Sequence, residues 1–252
     1  MNMLSKRRTI RKYKSDDVSE ALLQQLLSTA SRTQTMGNLQ LYSVVVTRSA
    51  EMKARLSPAH FGQPMVTEAP VVLTICADFR RTTDWCLARD ASPGYDNFLS
   101  FINAATDALL FTQTFCCLAE AEGLGCCFLG TTVYMPDLII DTLQLPQLVM
   151  PVATITLGWP DEEPPLTDRL GVEAFVHSET YHPYTPSLID EYYAAKEALA
   201  ENQEFVRINQ KKTLAQVFTD CRYTRRDNEA MSATLLAALE RQGFLPPQKP
   251  QP

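Results

Sequence analysis

The chain is poor in the features that mark whole classes of protein. Lys and Arg number 23 against 29 Asp and Glu, a net charge of −6, so the broad basic face that nucleic-acid binding requires is missing. No apolar stretch reads as both long and charge-free enough to span a bilayer. The start, Met1-Asn2-Met3-Leu4-Ser5-Lys6, lacks the apolar core of a signal peptide. No nucleic-acid or membrane partner is expected, and a cytoplasmic location is. The three histidines lie far in sequence from the cysteine doublets Cys116-Cys117 and Cys126-Cys127. Neither doublet has zinc-site spacing, and neighbouring residues diverge by about 100° on a helix or face opposite sides of a strand. No metal is therefore expected, and the seven cysteines read as free thiols acting as small hydrophobes. There is no G-x-S-x-G elbow, no H-E-x-x-H, no Walker lysine and no internal repeat.

What is present is a local concentration of cations. Lys6-Arg7-Arg8-Thr9-Ile10-Arg11-Lys12-Tyr13 sets five positive charges and a hydroxyl inside an acidic protein. Guanidinium forks and a hydroxyl can converge on the oxygens of a phosphate. On these residues alone a solvated basic segment is the simpler reading; the rest of the chain favours a specific anion.

Apolar patterning gives the elements. Val18 to Ala30 carries a helical stripe with Asp17 as a candidate cap. Leu41 to Thr47 is a β-branched strand, Glu51 to Leu56 a short helix, and Val71 to Ala77 a strand apolar on both faces. Asn97 to Glu122 is apolar nearly all round, as in a central helix or one at a subunit interface, and Gly123-Leu124-Gly125 stops it. Cys126 to Leu129 and Val152 to Leu157 read as strands, with a helix over Pro136 to Leu143 between them. Such alternation predicts an α/β or α+β sheet protein. After an acidic, proline-rich segment at Asp161 to Pro165, two helices are expected. One starts near Ser187, where Ser187-x-x-Asp190 resembles a capping box. The other runs from about Asp227 to Gln242 and ends before Gly243. Residues 246 to 252 read as a disordered tail. Gly123-x-Gly125 follows a helix and precedes a strand, the reverse of a dinucleotide fingerprint, and lacks the third glycine.

Five segments in order resemble the nitroreductase family of FMN-dependent oxidoreductases: Arg7-Arg8-Thr9-Ile10-Arg11-Lys12-Tyr13; Gly37-Asn38-Leu39-Gln40; His60-Phe61-Gly62-Gln63 ahead of Glu68-Ala69-Pro70; Gly123 to Thr131; and Leu157-Gly158-Trp159-Pro160 with Arg169-Leu170 beyond. They cover roughly residues 4 to 170. The resemblance implies an α+β fold with a central, mostly antiparallel sheet flanked by helices, in an intertwined homodimer. It implies an FMN-binding core over 1–175 and a C-terminal helical extension over 176–245, serving as lid or dimer arm. Arg7, Arg8 and Thr9 would hold the FMN phosphate and Arg11 the phosphate or the pyrimidine edge. Gln63 would bond that edge, Gly130 and Thr131 would offer backbone N–H groups near N5, and Arg169 would return to the phosphate. Thr35, Asn38 and Gln40 would reach the flavin from the other subunit. Relatives often carry Lys two residues before that last Arg; here Thr167 stands there, and one charge is lost.

The activity implied is ping-pong hydride transfer from NADPH or NADH through flavin N5 to a nitroaromatic, a quinone or a similar small electrophile. No side chain need act as nucleophile or base, since the flavin carries the chemistry. Alternatives are an NAD(P)H:flavin reductase, a non-catalytic flavin-binding protein, or a member that has lost FMN. His60, His177 and His182 read as surface or packing residues, and Phe61, Tyr134 and Trp85 as packing residues that could line a substrate face.

Overall fold

The computed structural model describes residues 4–246. They fall into two compact units, one made of residues up to Pro165 together with those from Met231 on, the other of Leu166–Ala230.

The first unit is built on a four-stranded sheet in the order β1-β2-β4-β3, with β1 Tyr42–Thr47, β2 Val71–Asp78, β3 Gly125–Leu129 and β4 Val149–Gly158. All three pairings are antiparallel. Every residue of β2 and β4 is buried, as expected of strands covered on both faces. β4 starts three residues earlier than its apolar pattern indicated, because Pro151 interrupts that pattern. The proline, which has no N–H to give, lies where the register shifts: Ile75 pairs with Ala153 and Cys76 with Pro151. A bulge is the site in a central strand that tolerates proline.

Around the sheet lie α1 Glu20–Ala30, α2 Ala50–Leu56, α3 Pro64–Glu68, α4 Arg80–Leu87, α5 Phe98–Ala121 and α6 Pro136–Leu143. The cap of α1 is Ser19, whose hydroxyl accepts from Leu22 N, and not Asp17. The Asp17 carboxylate instead accepts from Val18 N at 2.8 Å and pairs with Arg48 at 2.8 Å. By length and hydropathy alone α5 would pass for a membrane span, contrary to the sequence expectation. Its Ala104, Ala108, Phe111, Phe115 and Ala119 belong instead to the main core, together with Leu73, Ile75, Ile155 and Leu157 of the central strands. The small residues let the helix approach the sheet closely, and Phe111 stacks on Tyr42 of β1 at 4.5 Å.

The second unit holds α7 Pro186–Glu197, α8 Ala200–Ile208, α9 Leu214–Val217 and the first residues of α10 Arg225–Arg241. Among the described residues four α-helices thus follow Pro165 where two were expected; α8 is short and mostly polar and α9 is only four residues long, so periodicity did not reveal them. The cap of α7 is Thr185, which accepts from Leu188 N at 3.3 Å. Ser187 falls inside the helix because Pro186 pre-sets its first position. α10 carries the chain back: Ala238 and Leu239 are buried in the first unit's core, as is Phe244 just past the helix. A boundary near 175 and the compact units therefore divide the chain differently. The expected disordered tail, from 246, lies almost wholly outside the described residues.

Candidate functional site

The cationic segment is held as an extended edge beside the sheet. Ile10 N donates to Cys126 O at 3.1 Å, Lys14 N to Trp159 O at 2.9 Å, and Asp161 N to Lys12 O at 3.0 Å. Tyr13 forms an antiparallel bridge with Pro160, and its hydroxyl reaches Ile10 O and Thr156 Oγ1, each at 2.7 Å. Two glycines permit this approach. A Cβ on Gly125 would stand 2.6 Å from Ile10 Cβ, and one on Gly158 would stand 2.6 Å from Pro70 Cδ and 2.8 Å from Tyr13 Cδ1. Gly125→Ala is expected to cost about 1–3 kcal/mol, as overpacking does, and to displace the segment that carries Arg7, Thr9 and Arg11. Thermal unfolding checks this; a parent-like Tm would show that the segment is not clamped there.

So anchored, the segment aims its cations into an open cleft of about 470 Å³ lined by Lys6, Arg7, Arg8, Glu120, Glu162 and Glu163. Arg7 Nη2 lies 3.4 Å from Thr9 Oγ1, and Nη1 lies 3.7 Å from Glu120 Oε1. Arg8 is tied back, its Nε donating to Pro164 O at 2.6 Å and its Nη2 standing 3.6 Å from Glu163. Glu162 Oε1 accepts from the backbone N–H groups of Arg11 and Lys12, at 2.5 and 3.0 Å. The Arg11 side chain meets the Cys127 thiol; burial still pushes that thiol up, with Arg11 pulling the other way. The cations suit a phosphate: two guanidinium groups and an ammonium line one cleft beside three carboxylates, and the Thr9 hydroxyl lies next to the Arg7 guanidinium. The acidic, proline-rich segment Asp161 to Pro165 supplies the carboxylates that hold the cationic segment in place.

A second cluster joins two short turns. His60 Nδ1 lies 2.8 Å from Thr131 Oγ1, which binds the turn Ser57–His60 to the turn Gly130–Val133. His60 is fully buried, its Nε2 has no partner, and burial lowers its pKa to about 4. Gln63, three residues on, is half-buried, and a Cβ on Gly130 would meet open space. Phe61, just after the first turn, takes a left-handed φ of 55° and is 55 % exposed, its ring 6.4 Å from Tyr134. The structure thus brings Gln63, Gly130 and Thr131 into one neighbourhood. The link through His60 left no mark in the sequence beyond a histidine close to a glutamine.

The third predicted group is the loop Thr35 to Gln40. Gly37, Asn38 and Gln40 all take positive φ, and Gln40 Nε2 donates to Asn38 Oδ1 at 2.7 Å. Asp107, buried mid-way along α5, accepts from Met36 N at 2.8 Å and Leu41 N at 3.1 Å. A lone carboxylate in an otherwise apolar helix here marks a loop anchor. Thirteen residues, or about 20 Å of helix, separate Asp107 from Glu120. One chain therefore keeps this loop apart from the cationic cleft.

Arg169 belongs to the second unit. There its Nη1 donates to Thr167 Oγ1 and to Asp168 O, both at 2.7 Å, and Lys196 Nζ pairs with Asp168 at 2.7 Å.

This sheet, its long core helix and the cationic segment held beside it define a class, and the comparisons agree. The profile of the Nitroreductase family matches residues 4–159. The chain is 29% identical over 201 residues to an oxygen-insensitive NADPH nitroreductase of Salmonella typhimurium, covering 80% of this chain and 81% of that protein. It is 31% identical over 186 residues to an FMN reductase [NAD(P)H] of Bacillus subtilis, covering 71% and 72%. A crystal structure from Bacteroides fragilis NCTC 9343, of a protein provisionally designated an oxidoreductase, superposes with a TM-score of 0.96 at 59% identity, covering 97% of this chain and all of that one. The chain belongs to the nitroreductase family and is an oxidoreductase.

Proposed function

We propose that the protein is an FMN-dependent NAD(P)H oxidoreductase acting on nitroaromatics, quinones or similar small electrophiles. The observation that carries this reading is the cleft lined by Lys6, Arg7 and Arg8, with the Thr9 hydroxyl 3.4 Å from Arg7 Nη2. Bound there, FMN supplies a two-electron carrier between a nicotinamide donor and a small acceptor. The chain's own residues bind and orient it. Arg7, Arg8 and Thr9 hold the phosphate. Arg11, on the same strand, extends positive charge from the phosphate side towards the pyrimidine edge. Gln63 bonds that edge, and the backbone N–H groups of Gly130 and Thr131 face the reactive part of the ring. Arg169 joins the phosphate on the strength of the sequence pattern alone.

The same proposal includes a homodimer in which Thr35, Asn38 and Gln40 come from the second copy. The separation of that loop from the cleft along α5 supports it. So do Phe98, Leu99, Ile102, Leu109 and Leu110, each more than two-fifths exposed on one side of a helix apolar all round. The second unit is proposed as a lid or dimer arm, supported by Val172, Phe175, Val176 and Tyr181, each more than three-fifths exposed. A cytoplasmic location accords with seven cysteines, none in a disulfide.

A second reading, transfer to free flavin, is favoured by the likeness to the Bacillus subtilis FMN reductase. Steady-state turnover with NADPH or NADH separates the two. The first reading expects acceptor-dependent oxidation of the nicotinamide at catalytic flavin. Turnover that requires excess free FMN and ignores nitroaromatics and quinones would assign the second, and none with any acceptor would leave a binding role.

A further inference from the structure

Glu120 occupies the last turn of α5, where the unpaired carbonyls of the helix end already carry partial negative charge. Its side chain is only 12% exposed, Oε1 makes no hydrogen bond, and Arg7 Nη1 at 3.7 Å is beyond hydrogen-bond reach. Burial pushes its carboxyl above the usual range, and Arg7 pulls it only part of the way back. The charged groups around it are Lys6, Arg7 and Arg8 from the N-terminal segment and Glu162 and Glu163 from the acidic one. Cys116 on α5 and Cys126 on β3 are neighbouring free thiols, and the hydrogen bond between them and burial hold the Cys126 thiol well up, in its neutral form.

A phosphate dianion on Arg7 would share that guanidinium with the Glu120 carboxylate. Two anions on one cation in a half-buried site relieve their repulsion most cheaply when one takes a proton. A protonated carboxyl also changes from acceptor to donor. We propose that Glu120 is a positioning residue that takes up a proton from solvent when the FMN phosphate seats on Arg7. It thereby becomes a donor to the phosphate oxygens instead of their competitor. This rests on the cleft being the phosphate site.

The test is calorimetric titration of FMN into the flavin-free full-length protein, in two buffers of unlike ionisation enthalpy. It is run at about pH 7.5, above the second phosphate pKa of about 6, so that free FMN is a dianion. Uptake approaching about one proton per FMN is expected, with a Kd that rises by up to about tenfold for each pH unit gained, as one linked proton requires. In Glu120→Gln the uptake should vanish, the pH dependence flatten, and binding at alkaline pH exceed that of the parent. FMN binding without uptake in the parent would overturn the proposal and leave the cleft assignment standing. Undiminished uptake in Glu120→Gln would overturn it by placing the proton elsewhere. Binding indifferent to Arg7→Ala would remove the phosphate from the cleft, and the proposal with it.

Discussion

Arg7→Ala is expected to weaken FMN binding by roughly 10- to 100-fold, because a charge-assisted hydrogen bond contributes about 1.5–3 kcal/mol and each 1.4 is tenfold. The loss should be confined to the phosphate. Riboflavin, which has the ring and ribityl chain without that group, should bind parent and variant alike. Added salt should weaken FMN binding less in the variant, since one screened attraction has gone. Arg7 also faces Glu120, so the variant leaves that carboxyl, 12% exposed, without its ion-pair partner. That carboxyl should then titrate still higher, its desolvation no longer offset. Flavin fluorescence quenching on a folded variant, verified by circular dichroism, reads both ligands. Parent-like FMN affinity would move the phosphate away from this cleft.

Stability should fall steeply as pH drops from about 6.5 towards about 4, and His60 should account for much of the fall. Its folded pKa is lowered from 6.5 to about 4 by burial. Between those values the unfolded chain binds a proton that the native one refuses, so unfolding is favoured as pH falls. Above 6.5 both states are neutral and the effect is absent. The full shift corresponds to about 3 kcal/mol. His60→Asn retains an acceptor near Thr131 and does not titrate, so it should flatten this limb while costing some stability at neutral pH. Urea unfolding between pH 4 and 7 measures it. An acid limb as steep in the variant as in the parent would assign the titration to other groups.

Much of the fold could be read because burial writes itself into sequence. β2 is apolar at almost every position and buried at all of them, and α6 falls on the residues its apolar spacing indicated. What could not be read is held by polar contacts. α4, Arg-Arg-Thr-Thr-Asp-Trp-Cys-Leu, has no long apolar stripe. Asp78, accepting from Arg81 N, and the Arg80–Asp84 pair at 2.8 Å hold it. Helix caps were misplaced by two residues in both cases, at Ser19 and Thr185, because several small polar residues precede each helix. Backbone conformation, not residue type, selects among them.

The candidate site divides the same way. Arg7, Arg8 and Arg11 announced themselves as charge in an acidic chain. Glu120, Asp107 and His60 did not, because a single polar residue inside an apolar stretch says nothing about what it faces. Glu162 was hidden in a segment whose charge suggested only solvent. Its role exists because Arg11 and Lys12 present backbone N–H groups to it across the edge strand.

The central claim is that this cleft holds a redox-active flavin. The most direct test is the absorbance spectrum of the purified protein, loaded with FMN and desalted, before and after anaerobic addition of NADPH or NADH. The account predicts retained yellow flavin bands that bleach with a nicotinamide donor and return with an acceptor. A protein left colourless after loading would contradict the binding site; bound flavin that neither donor bleaches would contradict the activity.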